Sequence, residues 1–190
     1  MQNIDQQLFY FINHNLHIGI LNKVFPYWRS MYFWIPLYVF FASYLIFNYK
    51  KNGLIYILAL ALTVGTADIV SSRLIKNTVQ RLRPCQDDAV KTSVNLLVNC
   101  GGGYSFTSSH ATNHFAAAIF VAFTYVLRRR LWRVGLLFWA ASIAFGQVYV
   151  GVHYPFDVIC GAIIGSLIGY IGSFLYKKYL NVSPIGNWRT

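Results

Sequence analysis

Residues 153–176 read HYPFDVICGAIIGSLIGYIGSFLY. From Pro155 to Tyr176 the run carries a single charged residue, Asp157. Its length is close to the roughly 20 residues that a helix needs to cross the hydrocarbon core of a bilayer. Pro155 suits the first helical turn, and Lys177–Lys178 close the far end. Gly161, Gly165 and Gly169 recur every four residues, a spacing that lets helices approach closely in a membrane. These glycines are read as helix packing, without catalytic meaning. Working outward, the runs 31–49, 53–75, 109–127 and 134–152 are similarly apolar and similarly long. Together they predict an all-α integral membrane bundle of about five transmembrane helices, in one domain over 1–190. Composition agrees: 56% of the residues are hydrophobic and only 11% charged, against about 25% charged in soluble domains.

The formal net charge is +11, from 16 Lys and Arg against 5 Asp. Nucleic-acid binding would use such a balance, but the placement of the charge argues against it. Lys50–Lys51, Arg128–Arg129–Arg130 with Arg133, and Lys177–Lys178 each end an apolar run, and all fall on one side of the membrane. The positive-inside rule makes that side cytoplasmic. Lys23, Arg29, Arg73, Lys76, Arg81, Arg83 and Lys91 fall on the other side, where an anionic substrate would account for them.

The long loop 77–107 lies on that outer side. Its Cys85 and Cys100 either close a disulfide or remain two free thiols; Cys160, inside a span, is read as packing. The first 30 residues lack the pattern of a signal peptide. Ile4, Leu8, Phe11 and Ile12 recur at helical spacing, with Gln6, Gln7 and Asn13 on other faces. This predicts a short amphipathic helix in the membrane interface. Tyr27, Trp28, Tyr32 and Trp34 then form an aromatic belt where the first span begins.

Ionisable residues at membrane depth are costly and mark function, and here they gather in three groups. Lys76 and Arg83 are seven apart and would share a helix face if the helix continues; both suit a phosphate, though both also suit membrane anchoring. Thr107–Ser108–Ser109–His110 opens a helix, where free N–H groups bind anions; capping alone also explains the serines. His153 and Asp157 are four apart, a carboxylate orienting an imidazole, or merely a tie at a helix start. Asp68 is expected to pair with a nearby cation. His114 follows His110 by one turn, but the chain has no Glu and no cysteine cluster nearby, so a zinc hydrolase is set aside. Packing or a supporting hydrogen bond accounts for His114.

In order and spacing, Lys76-x6-Arg83-Pro84, Ser108-Ser109-His110 and His153-x3-Asp157 resemble the three-part signature of the type 2 phosphatidic acid phosphatase family. That signature is K-x6-R-P, P-S-G-H and S-R-x5-H-x3-D. The resemblance implies a metal-free, cofactor-free phosphohistidine mechanism. His153 would be the nucleophile, Asp157 its partner and His110 the general acid, with Lys76, Arg83, Ser108 and the backbone of Ser109 holding phosphate. Thr107 stands where the family has Pro, and Ser109 where it has Gly. Gln147, preceded by Gly146, stands where the family has Ser-Arg. Gln147 still donates to phosphate but brings no charge. The outcomes left open are a slow enzyme, one compensated by a neighbour such as Arg81, or an inactive anionic-lipid binder; activity is the expectation.

The implied reaction is hydrolysis of a lipid phosphate or diphosphate. A polyprenyl diphosphate comes first, with phosphatidylglycerol phosphate, phosphatidic acid and lipid A phosphate as further candidates. No nucleic acid and no obligatory protein partner are implied. The expected place is a bacterial cytoplasmic membrane, with the site facing outward. Vanadium haloperoxidases share the phosphate-site arrangement in soluble proteins, and the five apolar runs argue against them.

Overall fold

A computed structural model describes residues 2–124 and 129–180. Helix α1 (Gln2–Tyr10) runs into a wide turn at Phe11–Asn15, and α2 spans Gly19–Trp28. Helix α3 (Met31–Ile69) continues through a wide-turn stretch, Val70–Ile75, into α4 (Lys76–Val79). After a loop come α5 (Ser109–Phe123), α6 (Arg130–Tyr149) and α7 (Pro155–Leu175). The last positions of the run expected at 109–127, and Arg128, lie outside the described residues.

The segment 31–79 is not straight. Backbone helicity breaks at Lys50 (φ 51°, ψ −126°), and beyond it the chain doubles back, so that a Cβ built at Gly53 would come 2.0 Å from the Leu45 carbonyl oxygen. Residues 31–49 and 53–75 were expected as two spans, and they are the two arms of this hairpin. Among the described residues three helical segments are long and apolar enough to cross a membrane: Met31–Val79, Arg130–Tyr149 and Pro155–Leu180. Helix α5 is shorter, at 15 residues, and is the most enclosed: Ala111, Ala116, Ala118, Phe120 and Ala122 are buried between α3, α6 and α7.

The outer surface is apolar instead. Phe47, Leu62, Leu131 and Phe138 are each more than 70% exposed, an arrangement suited to lipid and adverse in water. The protein is an all-helical integral membrane protein. The segment in 1–30 is helical as expected, and its stripe of Ile4, Leu8 and Phe11 is exposed. Its opposite face reaches into the protein, where Phe9 packs edge-on against Tyr154 and Asn13 is fully buried. Asn13 donates to the carbonyls of Asn95 and Tyr149 and accepts from the Asn95 N–H, which ties the segment to the loop and to α6.

The glycine spacing in α7 has a counterpart in α5. A Cβ built at Gly161, Gly165 or Gly169 would come 2.8, 2.1 or 2.4 Å from the carbonyl oxygens of Ser108, Thr112 and Ala116. Three glycines four residues apart thus meet three residues four apart, and the two backbones touch along their length. This register sets the N-terminus of α5 beside that of α7, where the Ser108 N–H donates to the Asp157 carbonyl at 3.1 Å.

Candidate functional site

The ends of α4, α5, α6 and α7 that carry the sequence-derived candidates lie at one end of the bundle. Lys50–Lys51, Arg129–Arg130 and Lys177–Lys178 lie at the other. His153 sits in the turn between α6 and α7 and is 2% exposed. The Nδ1 atom stands 3.6 Å from Asp157 Oδ2, beyond hydrogen-bond contact, and has no other partner among the described residues. On the far side of the ring, Nε2 faces Arg83 Nη1 at 3.4 Å. One nitrogen is therefore aimed at a carboxylate and the other at a cation. Burial, partly offset by Asp157, pulls the His153 imidazole down to about 4, so the ring is neutral at physiological pH.

Asp157 is fully buried and held on both oxygens. The Tyr154 N–H donates to Oδ2 at 2.9 Å in a cap at the start of α7, and Arg81 Nη1 donates to Oδ1 at 2.7 Å. Arg81 Nη2 reaches Asp5 Oδ2 at 2.6 Å, its guanidinium lies 4.0 Å over the Tyr154 ring, and Asp5 Oδ1 accepts the Phe156 N–H. This commitment bears on one of the outcomes left open: Arg81, bonded to two carboxylates, is not free to replace the charge missing at position 147.

Lys76 and Arg83 do converge, but not along a helix. Helix α4 ends at Val79 because Gln80 takes a left-handed conformation (φ 52°, ψ 33°), and the chain leaves the helix before Arg83. The loop brings Arg83 back. Lys76 Nζ donates to the Tyr104 carbonyl at 2.9 Å, and Arg83 donates to the carbonyls of Gly103 and Val152. A Cys85–Cys100 disulfide closes this loop.

Ser108 is the N-cap of α5, its oxygen accepting from the Ala111 N–H. The N–H groups of Ser109 and His110 fall in the first turn, where no intrahelical acceptor exists. The Ser109 hydroxyl is taken by Ser71. His110 lies within electrostatic reach of Arg29, Lys76 and His153. His114 supports it from behind, with Nδ1 on the His110 carbonyl and Nε2 near the Tyr38 hydroxyl. Asp68 departs from expectation. Asn113 and Ser72 donate to it, and no cation pairs with it among the described residues. Lys76, two turns further along, is turned to Tyr104 instead.

Gln147 is fully buried. Its carbonyl accepts the Val152 and His153 N–H groups, and its Oε1 accepts from Arg29 Nε at 3.0 Å. Arg29 is half-buried, and burial, with the charge of Arg83, brings it down to about 10, still protonated at neutral pH. Sequence reasoning counted Arg29 only among the outer-side cations attributed to an anionic substrate, and gave Asp5 no role. Their one signal was an ionisable side chain in a short segment on the same side as the motifs.

The site can therefore present a neutral imidazole, a held carboxylate, a helix N-terminus and three basic side chains (Lys76, Arg83, Arg29) that form no ion pair among the described residues. Such a set suits a small polyanion. The sequence model of the PAP2 superfamily matches residues 52–180. The lipid A 4'-phosphatase of Bacteroides thetaiotaomicron is 33% identical over 185 residues, covering 94% of this chain and 79% of that one. The undecaprenyl-diphosphatase of Sulfolobus acidocaldarius is 30% identical over 190 residues, covering 97% and 83%. The crystal structure of a transmembrane PAP2 type phosphatidylglycerolphosphate phosphatase from Bacillus subtilis shares the fold. It has a TM-score of 0.73 and 22% identity, and the match covers 99% of this chain and 89% of that one.

Proposed function

The chain belongs to the PAP2 superfamily, and we propose that it hydrolyses a lipid phosphate by covalent catalysis through His153. Asp157 orients the ring through Nδ1, and Nε2 attacks phosphorus in line with the ester oxygen. As the phosphorus–oxygen bond breaks, His110 delivers a proton to the leaving oxygen. Water then attacks the phosphohistidine, His110 takes a proton from it, and inorganic phosphate departs with His153 restored. Lys76, Arg83, Gln147, the Ser108 hydroxyl and the free N–H groups of Ser109 and His110 bind the phosphoryl oxygens, whose charge is spread in the transition state. No metal or other cofactor takes part.

The observation that carries this reading is the orientation of His153, with Asp157 behind one nitrogen and Arg83 before the other. Likeness to a lipid A 4'-phosphatase at 33% identity favours the phosphomonoester of an acylated sugar as substrate. A polyprenyl diphosphate is the second reading, favoured by the 30% identical undecaprenyl-diphosphatase. We further propose that the site faces outward from a bacterial cytoplasmic membrane. It lies at the end of the bundle opposite the basic clusters, and its loop carries a disulfide. The test is release of inorganic phosphate by purified protein from lipid A, undecaprenyl diphosphate and phosphatidylglycerol phosphate, with and without chelator. The expected result is chelator-resistant release that His153→Ala abolishes. Phosphate binding without release from any lipid would favour a non-catalytic anionic-lipid binder.

A further inference from the structure

We propose that Arg29 is a phosphate-binding residue of this site, brought in from α2 to supply the charge that position 147 lacks. The proposal rests on the phosphatase reading above. Its basis is how α2 meets α6. A Cβ built at Gly146 would come 3.0 Å from the Phe25 ring and 3.5 Å from Arg29 Cβ, so the glycine is what lets α2 settle on α6 here. The next residue, Gln147, clasps the arriving arginine, Oε1 to Nε at 3.0 Å. The same residue's carbonyl accepts the His153 N–H at 3.3 Å. One residue thus links the Arg29 guanidinium to the nucleophile's backbone.

The clasp uses only Nε. Among the described residues neither terminal nitrogen of Arg29 has a protein acceptor, and no carboxylate pairs with it. Its electrostatic neighbours are Arg83 and His110, both already placed around the attacking nitrogen. A half-buried arginine set beside another cation is unfavourable unless an anion joins them. A phosphoryl group at His153 Nε2 would be that anion, with Arg83 on one side and Arg29 on the other. Gly146 and Gln147 then belong to one arrangement: the first makes room for a foreign arginine, and the second holds it with a neutral amide where a second guanidinium would repel.

The test compares wild type, Arg29→Ala, Gln147→Arg and the double variant in detergent, with the exposed Lys23→Ala as a control for general charge. Arg29→Ala is expected to lower kcat/KM for the lipid phosphate about 10- to 100-fold, the loss of one charge-assisted contact. It should also weaken competitive inhibition by inorganic phosphate several-fold, which a packing role would not do. Gln147→Arg should restore most of the activity in the Arg29→Ala background and fail to raise it in wild type. Lys23→Ala should behave as wild type. Should Arg29→Ala not fold, Arg29→Gln carries the same comparison. If Arg29→Ala keeps both kcat/KM and phosphate inhibition while His153→Ala is inactive, the assignment falls and the phosphatase reading stands. If wild type turns over no lipid phosphate, that reading fails, and inorganic phosphate decides the assignment. A phosphate-dependent rise in Tm that disappears in Arg29→Ala supports it, and equal rises overturn it.

Discussion

Replacing Gly165 by alanine tests the register on which the site depends. The added Cβ would stand 2.1 Å from the Thr112 carbonyl oxygen, about 1.3 Å short of the 3.4 Å at which ordinary contact begins. The obstacle is backbone, so no side chain can turn away and α5 must part from α7. Overpacking of this kind costs about 1–3 kcal/mol. Function should suffer more than stability. Ser108 at the head of α5 and Asp157 in the first turn of α7 are joined by one hydrogen bond of 3.1 Å, and a misplacement of about 1 Å in an active site can cost about 100-fold in rate. Gly165→Ala is therefore expected to fold, to lose several degrees in Tm, and to lose about 10- to 100-fold in kcat/KM. Gly135→Ala is the control, because nothing lies within 4 Å of a Cβ there. The assays are thermal unfolding in detergent and phosphate release from the lipid substrate. Wild-type behaviour in both for Gly165→Ala would refute the close α5–α7 approach and the argument that it builds the site.

Asp5→Ala removes the acceptor of both Arg81 and the Phe156 N–H. Since Arg81 is 20% and Asp5 11% exposed, the expected loss is about 1–2 kcal/mol of stability, with kcat reduced several-fold through a looser Asp157; an unchanged kcat would remove Asp5 from the account. The acid limb of kcat/KM should fall near pH 4, because the nucleophile is the neutral ring and burial holds His153 down to about 4; protonation below that value removes it, and a limb near 6.5 would show an exposed ring instead. Reducing the disulfide, or Cys85→Ser with Cys100→Ser, should destabilise by about 3 kcal/mol and slow turnover, because the bridge ties the chain just after Arg83 to the chain just before Gly103, whose carbonyl receives Arg83. Unchanged Tm and rate on reduction would contradict that.

Much of this molecule is legible in its sequence, and for physical reasons. Apolar runs of spanning length dictate helices in a bilayer, and the four-residue glycine spacing of α7 marks the face that α5 meets. The spacing of His153 and Asp157 sets the imidazole in the turn just before α7 and the carboxylate in its first helical turn, and Ser108 caps a helix as its side chain favours. What sequence conceals is whatever tertiary contact decides. Arg83 returns to Lys76 by a loop because α4 stops at Gln80, where neither glycine nor proline announces an end. Asp68 takes Asn113 in place of a cation because Lys76 is directed elsewhere. Arg29 and Asp5 lie in segments whose periodicity reports only the exposed apolar stripe. Their inward faces carry single polar residues with no pattern to recognise. The missing arginine at 147 is visible as a departure from the family signature, but its compensation comes from a helix more than 100 residues away in sequence.

The most direct test of the central claim follows phosphorus itself. During turnover of a lipid radiolabelled in its phosphate, an alkaline quench should trap label that is stable to base, labile to acid and confined to the peptide carrying His153. No label should be trapped on His153→Ala, which should also be inactive. Label on another residue, or phosphate release that persists in His153→Ala, would contradict the account.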